Sequence, residues 1–270
     1  MTNIEYLEQW MKWHGQYEKR AYRIFRIALL ETISHIPLSN ITYENAQPLI
    51  ELNINPEKLT EAYINVYTSI GLIHGNRIGR GINRELKDFE KPLFNRIFQN
   101  SIVDWVRENA GSRITKVLET VTKNIIELIG QASADNLTIE QMQKFIRDRI
   151  GRGLLSRYEV TRIARTESTT AANHSALVSG ESSGIVLEKV WISTQNRRTR
   201  IKPKDQFDHY HMNGIAVEQN EKFILRSKDG IVDKMDYPGD TDGSAGDIIN
   251  CRCAVALRPK RDADGFIIRR

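Results

Sequence analysis

Cysteine is scarce in this 270-residue chain: Cys251 and Cys253 are the only two. A disulfide-stapled scaffold needs more cysteines in a shorter chain. A bridge between positions two apart on a strand would also be strained, so both are read as reduced thiols. Long apolar runs are missing too. The longest, such as Ile125–Ile126 and Leu128–Ile129, fall far short of the roughly 20 residues that span a bilayer. The segment from Met1 to Trp10 carries two acids and no basic cluster leading into an apolar stretch, so it is no secretory signal. The expectation is a chain that folds in a cytoplasm, without a membrane partner. A strong excess of one charge is also lacking. Net charge is +5, and the tail from Arg258 to Arg270, with five basic and two acidic side chains, supplies +3 of it. The body is left near neutral, whereas a dedicated duplex-DNA binder shows a stronger basic face. No internal repeat or low-complexity stretch occurs.

What is present is ordinary for a globular protein: 40% apolar and 27% charged residues, in a length that suits one or two domains. The first third reads as helix. Leu7, Met11, His14, Ala21, Phe25 and Ala28 recur at three- and four-residue steps with one longer gap, broadened by Trp10, Trp13, Tyr17 and Tyr22, up to a break at Ile36–Pro37. Such an aromatic stripe serves as core or as a partner-facing surface. Asn55 and Pro56 read as an N-cap and a first helical position. The helix that follows runs into Gly71, Gly75, Gly79 and Gly81, each costing about 1 kcal/mol of helix propensity against alanine. It persists only where another backbone packs closely; otherwise it bends or breaks. Further helices are expected over Leu93–Asn109 and Ser112–Ile129, with a subdomain boundary in the small, polar stretch Gly130–Asn136. Thr138 with Gln141, and Ser156 with Glu159, have capping-box spacing and open helices at about 139–151 and 157–180. Beyond Gly184 the pattern turns to short strand candidates: Ile185–Ile192, Phe223–Leu225, Gly230–Val232 and Cys251–Leu257. Turn dipeptides lie among them at Asn213–Gly214 and Asp229–Gly230. The expected class is α+β, with a mainly helical N-terminal two thirds and a small β-rich C-terminal module. The expected divisions are a helical domain over 1–135, a second domain over 136–258 and a basic tail over 259–270.

The residues that could carry chemistry lie between Arg162 and Ala254. Ile-Ala-Arg-Thr-Glu occupies 163–167, giving Arg165, Thr166 and Glu167, and Asn173 follows on the same helix. Then come Trp191, Arg198-Thr-Arg200, His209 and His211 ahead of Gly214, a Pro-Gly-Asp turn ending at Asp240, and Asn250-Cys-Arg-Cys253. This order resembles the Mu F-like phage head-morphogenesis family. Its usual run is an Ala-Arg-Thr-Glu helix, a tryptophan strand, an Arg-x-Arg, a histidine before a glycine, a Pro-Gly-Asp turn and an Asn-Cys-Arg-Cys ending. Each element alone is weak; six in order over about 100 residues are specific, because chance matches multiply. The chain departs from the family at Asn196, where an aspartate is usual, and in a longer spacing from Arg200 to His209. The resemblance implies a minor head protein acting in capsid assembly at or near the portal. Portal, capsid and scaffold proteins would be its partners, packaged DNA a weak contact, and the virion its location, after assembly in the host cytoplasm. Relatives with an enzyme domain carry it after the Asn-Cys-Arg-Cys ending. Only 17 residues follow Cys253 here, so a non-enzymatic role is expected, with the helical N-terminal part, aromatic stripe included, docking on the portal.

Three readings of these residues stand beside the resemblance. Cys251 and Cys253 alternate on a presumed strand, as do His209 and His211, and two thiolates with two imidazoles could hold zinc; both cysteines could equally be small buried hydrophobes. Arg165 and Glu167 do not face one another on a helix and would reach separate partners, such as Asp240 or Arg200, in a buried ion-pair network. The alternative function is a metal-independent nuclease, with His209 and His211 as base and acid and Arg197, Arg198 or Arg200 steadying a phosphorane.

Overall fold

The computed structural model describes residues 2–86, 103–152 and 156–270. The chain is α+β, as expected. Helices fill the N-terminal two thirds: α1 (Asn3–Ile33), α2 (Ala46–Asn53), α3 (Pro56–Leu86), α4 (Gly111–Ala134), α5 (Ile139–Arg152) and α6 (Arg157–Glu181). Strands β1 (Leu187–Ile192), β2 (Ala216–Glu218), β3 (Phe223–Arg226) and β4 (Val232–Met235) follow, then a one-turn helix α7 (Ala245–Ile248) and strand β5 (Ala254–Pro259). The part of the expected Leu93–Asn109 helix before residue 103 lies outside the described residues, while 103–109 are helical.

Local chemistry explains most boundaries. The Asn55 side chain accepts from the Glu57 N–H at 2.9 Å, with Pro56 at the first helical position, and α3 starts there. Both capping boxes form: Gln141 accepts from the Thr138 N–H at 2.9 Å, and Glu159 accepts from the Ser156 N–H at 2.7 Å. The glycine-rich helix α3 does not break, running unbroken from Pro56 to Leu86. Ser179 of α6 donates from Oγ to the Gly75 carbonyl at 2.9 Å, and a Cβ on Gly79 would lie 3.1 Å from the same Oγ, so α6 packs against the glycine face. Gly130–Ala134 is a correction: it continues α4, and the chain turns only at Asn136, which has φ 51°.

Two compact units share the chain. One comprises Met1–Ala21, Val66–Val103 and Arg162–Arg270; the other comprises Tyr22–Asn65 and Asp104–Thr161. The divisions fall inside α1, α3 and α6 and between Val103 and Asp104. The second unit is all-helical. Its core includes Ile114, Val121, Ile125, Ile129 and Ala132 from the apolar face of α4, and Phe25 set edge-on to Tyr63 with ring centroids 5.0 Å apart.

The first unit carries the sheets. β1 is central in an antiparallel sheet of order β2-β1-β5, pairing Trp191 with Val255 and Lys189 with Val217. Its buried face explains the near-continuous apolar run of that segment. The β3–β4 hairpin turns at Asp229–Gly230, where Gly230 takes φ 83°. The aromatic stripe of α1 is core within this unit as far as Ala21: Trp10 and Ala21 are fully buried and Tyr17 nearly so. Trp10 donates from Nε1 to the Arg252 carbonyl at 2.7 Å, and Tyr6 donates to the Val255 carbonyl at 2.9 Å. The rest of the stripe is less covered: Trp13 is half-buried and Met11 is exposed.

Candidate metal centre

Helix α6 is the platform on which the motif residues gather. From its buried face, Thr169 donates to the Cys251 carbonyl at 2.8 Å and Thr170 to the Gly239 carbonyl at 2.7 Å. Asn173 uses its whole amide. Nδ2 donates to the carbonyls of Pro238 (2.8 Å) and Cys253 (3.0 Å), and Oδ1 accepts from the Val255 N–H at 3.0 Å. Thr166 Oγ1 accepts from the Asn250 N–H at 2.8 Å. One helix face thus holds both the Pro-Gly-Asp turn and the Asn-Cys-Arg-Cys segment by their backbones.

The charged members of the motif pair differently from the sequence expectation. Arg165 does not reach Asp240 or Arg200. It makes a bidentate pair with Glu18 of α1 at 2.8 and 2.9 Å, and also donates to Asn250 Oδ1. Glu167 accepts from the Tyr67 hydroxyl at 2.7 Å. Asp240 serves its own turn, accepting from the Asp236 N–H at 2.7 Å, and burial pushes its carboxyl pKa up. Arg200 donates from Nη2 to the Ile249 carbonyl. Asn196 accepts from the Arg198 N–H at 2.9 Å, a turn contact that an amide oxygen makes as well as a carboxylate does. Gly214 has φ 85° and donates to the Trp191 carbonyl at 2.8 Å, fixing the loop against β1.

That loop delivers His209 to the interior. The Arg200 carbonyl accepts from the N–H groups of both His209 and Tyr210, at 3.0 and 2.9 Å, and the imidazole packs edge-on against Trp191 with centroids 5.4 Å apart. His209 Nδ1 lies 3.6 Å from Cys251 Sγ and 3.5 Å from Cys253 Sγ. Nε2 is hydrogen-bonded to Asp247 of α7. All four residues are buried, and the histidine nitrogen and two sulfurs lie within 4.8 Å of one another.

His211 is not part of this cluster. Its side chain is 69% exposed and its Nδ1 lies 2.9 Å from Asp208 Oδ2. Nor do the two histidines lie on a strand: both sit in the irregular loop before β2. The cysteines likewise precede β5, so their sulfurs converge through a loop and not through strand alternation. Asp247 was missed in the sequence. Its signal was Ser244 three residues ahead of it before Ile248–Ile249, a helix-start spacing, and the Asp247 N–H does donate to the Ser244 carbonyl at 2.9 Å.

The electrostatics of the cluster are coupled. Burial opposes charge on His209, but Cys251 and the Asp247 hydrogen bond outweigh it and hold its pKa up at about 9. The hydrogen bond with Cys253 pulls the Cys251 thiol well down, with His209 and Arg200 acting the same way against burial. Burial pushes Cys253 up. Burial also raises Asp247, against the pull of the His209 ring. One buried polar atom here, Asp247 Oδ2, has no hydrogen-bond partner among the described residues. Chemically, the cluster offers two sulfurs and one imidazole nitrogen to a soft cation. Compared with family models, with curated proteins and with solved structures, the chain matches none.

Proposed function

We propose that the chain is a bacteriophage minor head protein acting in head morphogenesis at or near the portal, and assign it no reaction. One observation carries the reading. The motif elements spread between Arg165 and Cys253, which in order resemble the Mu F-like run, fold into one hydrogen-bonded network around α6. Residues that serve a shared module ought to be neighbours in space, and these are. His209 is buried against two sulfurs while His211 faces solvent, so the acid–base pair needed by the nuclease alternative is not assembled.

Docking on the portal falls to the helical segment over 1–135. With Trp10 and Tyr17 of the aromatic stripe committed to packing, its exposed apolar side chains include Ile27, Tyr43 and Leu52, the last 83% exposed. No described helix is long and apolar enough to cross a membrane. A mass-spectrometric inventory of purified procapsids and virions tests the proposal. The chain should be present in both at a few copies, and be pulled out of co-expression lysates by the portal protein. Absence from both particles would refute it.

A further inference from the structure

We propose that His209 Nδ1 and the Sγ atoms of Cys251 and Cys253 bind one zinc ion, with Asp247 holding the imidazole through Nε2. Ligand chemistry comes first: two sulfurs and a nitrogen form a soft donor set, and Cys and His are the usual zinc ligands. Spacing comes second. With zinc–sulfur bonds of about 2.3 Å and zinc–nitrogen bonds of about 2.0–2.1 Å, a tetrahedral site puts its nitrogen about 3.6 Å from each sulfur. The observed separations are 3.6 and 3.5 Å. Two of the six edges of a coordination tetrahedron are already at zinc-binding length, and the two sulfurs lie within 4.8 Å of each other.

Charge is the third argument. Two thiolates and a neutral imidazole around a divalent cation sum to zero, so a buried pocket can hold the four together at low desolvation cost. Orientation is the fourth. A ligating histidine commonly donates its other ring N–H to a carboxylate, and Asp247 occupies that place, fully buried. The supporting backbone is fixed as well, because Thr169 and Asn173 of α6 bond the carbonyls of Cys251 and Cys253. Among the described residues no further Cys, His, Asp or Glu completes the group, so the fourth position falls to a water molecule. This inference does not depend on the head-assembly reading.

The test uses the full chain purified without added metal, followed by elemental analysis, chelation, and titration with cobalt(II) as a spectroscopic stand-in. The expected result is about one equivalent of zinc. Chelation should lower the melting temperature, and cobalt should give a sulfur-to-metal charge-transfer band. Cys251→Ser, Cys253→Ser and His209→Ala should each lose that band. Asp247→Asn should keep it with affinity weakened about 10–100-fold. His211→Ala should bind as the wild type does. A cooperatively melting wild-type protein with less than about a tenth of an equivalent of zinc and no cobalt band would overturn the proposal, leaving a hydrogen-bonded Cys–His cluster. Undiminished zinc in a Cys251→Ser/Cys253→Ser double variant would overturn it too. If the cysteine variants do not fold, the wild-type cobalt spectrum together with the Asp247→Asn and His211→Ala affinities decides.

Discussion

Asn173 meets three backbone groups from two separate segments with one side chain, and is fully buried while doing so. Asn173→Ala strands two carbonyls and one N–H inside the protein. At about 1–3 kcal/mol for each abandoned group, the loss should be on the order of 3–5 kcal/mol, read as a fall in the chemical-denaturation midpoint. Arg165→Ala leaves Glu18 and Asn250 without their shared cation. Arg165 and Glu18 retain 12% and 20% side-chain exposure, so the cost belongs at the low end for buried pairs, about 3 kcal/mol. A double-mutant cycle with Glu18→Gln should show coupling; strict additivity would mean that the two groups do not interact. At this scale the sequence drew attention to Arg165 and Asn173 but did not say whom they meet. Arg165 stood out from its motif, yet Glu18 lies 147 positions away in a helix with no motif of its own. Asp240, the nearer acid by sequence, is used up by the turn it belongs to. Asp247 was visible only as a helix-start spacing, because nothing in a linear pattern says that a one-turn helix will face a buried imidazole.

Helix α3 and helix α6 show how much of an element is written locally. Caps, proline at the first turn and capping boxes act within four residues, so their helix starts were legible. The fate of the glycines in α3 was not, since it hangs on Ser179 about a hundred residues further on. The same geometry separates glycines that should answer alanine with opposite signs. Gly81 lies in α3 with nothing within 4 Å of an added Cβ, so Gly81→Ala should raise stability by about 0.5–1 kcal/mol. Gly180 in α6 faces Leu257 and Leu187, whose methyl carbons would lie 2.5 and 2.8 Å from the new Cβ. Gly180→Ala should cost about 1–3 kcal/mol through overpacking. Thermal melts of both variants check the pair, and equal shifts of one sign would contradict the packing described. Strand positions were legible where burial is continuous, as in β1. The three-residue β2 went unseen because its side chains alternate between exposed and half-buried and carry no apolar signal.

In the molecule as a whole, histidines held neutral by burial in the first unit, His14, His74 and also His174, give stability a pH dependence. Burial depresses His14 to a pKa of about 4 and His74 to about 3, the nearby Arg77 adding to the effect on His74. His74 is ringed by Trp10, Trp13 and Tyr17, and its Nε2 has no hydrogen-bond partner among the described residues. In the unfolded chain His14 and His74 both titrate near about 6.5. The native state therefore binds fewer protons between those values, and stability rises with pH across that window. It is fully present above about 6.5 and is lost as pH falls toward 4 and then 3. Through these two groups, melting temperature should decline as pH falls below about 6.5. His74→Phe, which keeps a ring among the three aromatics, should decline less steeply there. An unchanged slope in that variant would place the acid sensitivity elsewhere.

The first unit is closed by contacts between the two ends of the chain: Tyr6 with Val255, 249 positions apart, and Trp10 with Arg252, 242 apart. Translation runs at about 5–20 residues per second, so the first turns of α1 wait about 10–50 s on the ribosome before their partners exist. The second unit, apart from its own break between residues 65 and 104, is complete in sequence by Thr161 and can settle while synthesis continues. Until the last strand emerges, the Trp10 face of α1 has only part of its native cover, the His74 ring of α3. A chain cut short before Arg252 lacks both carbonyls that Tyr6 and Trp10 meet, and those two polar groups are then left without their native acceptors.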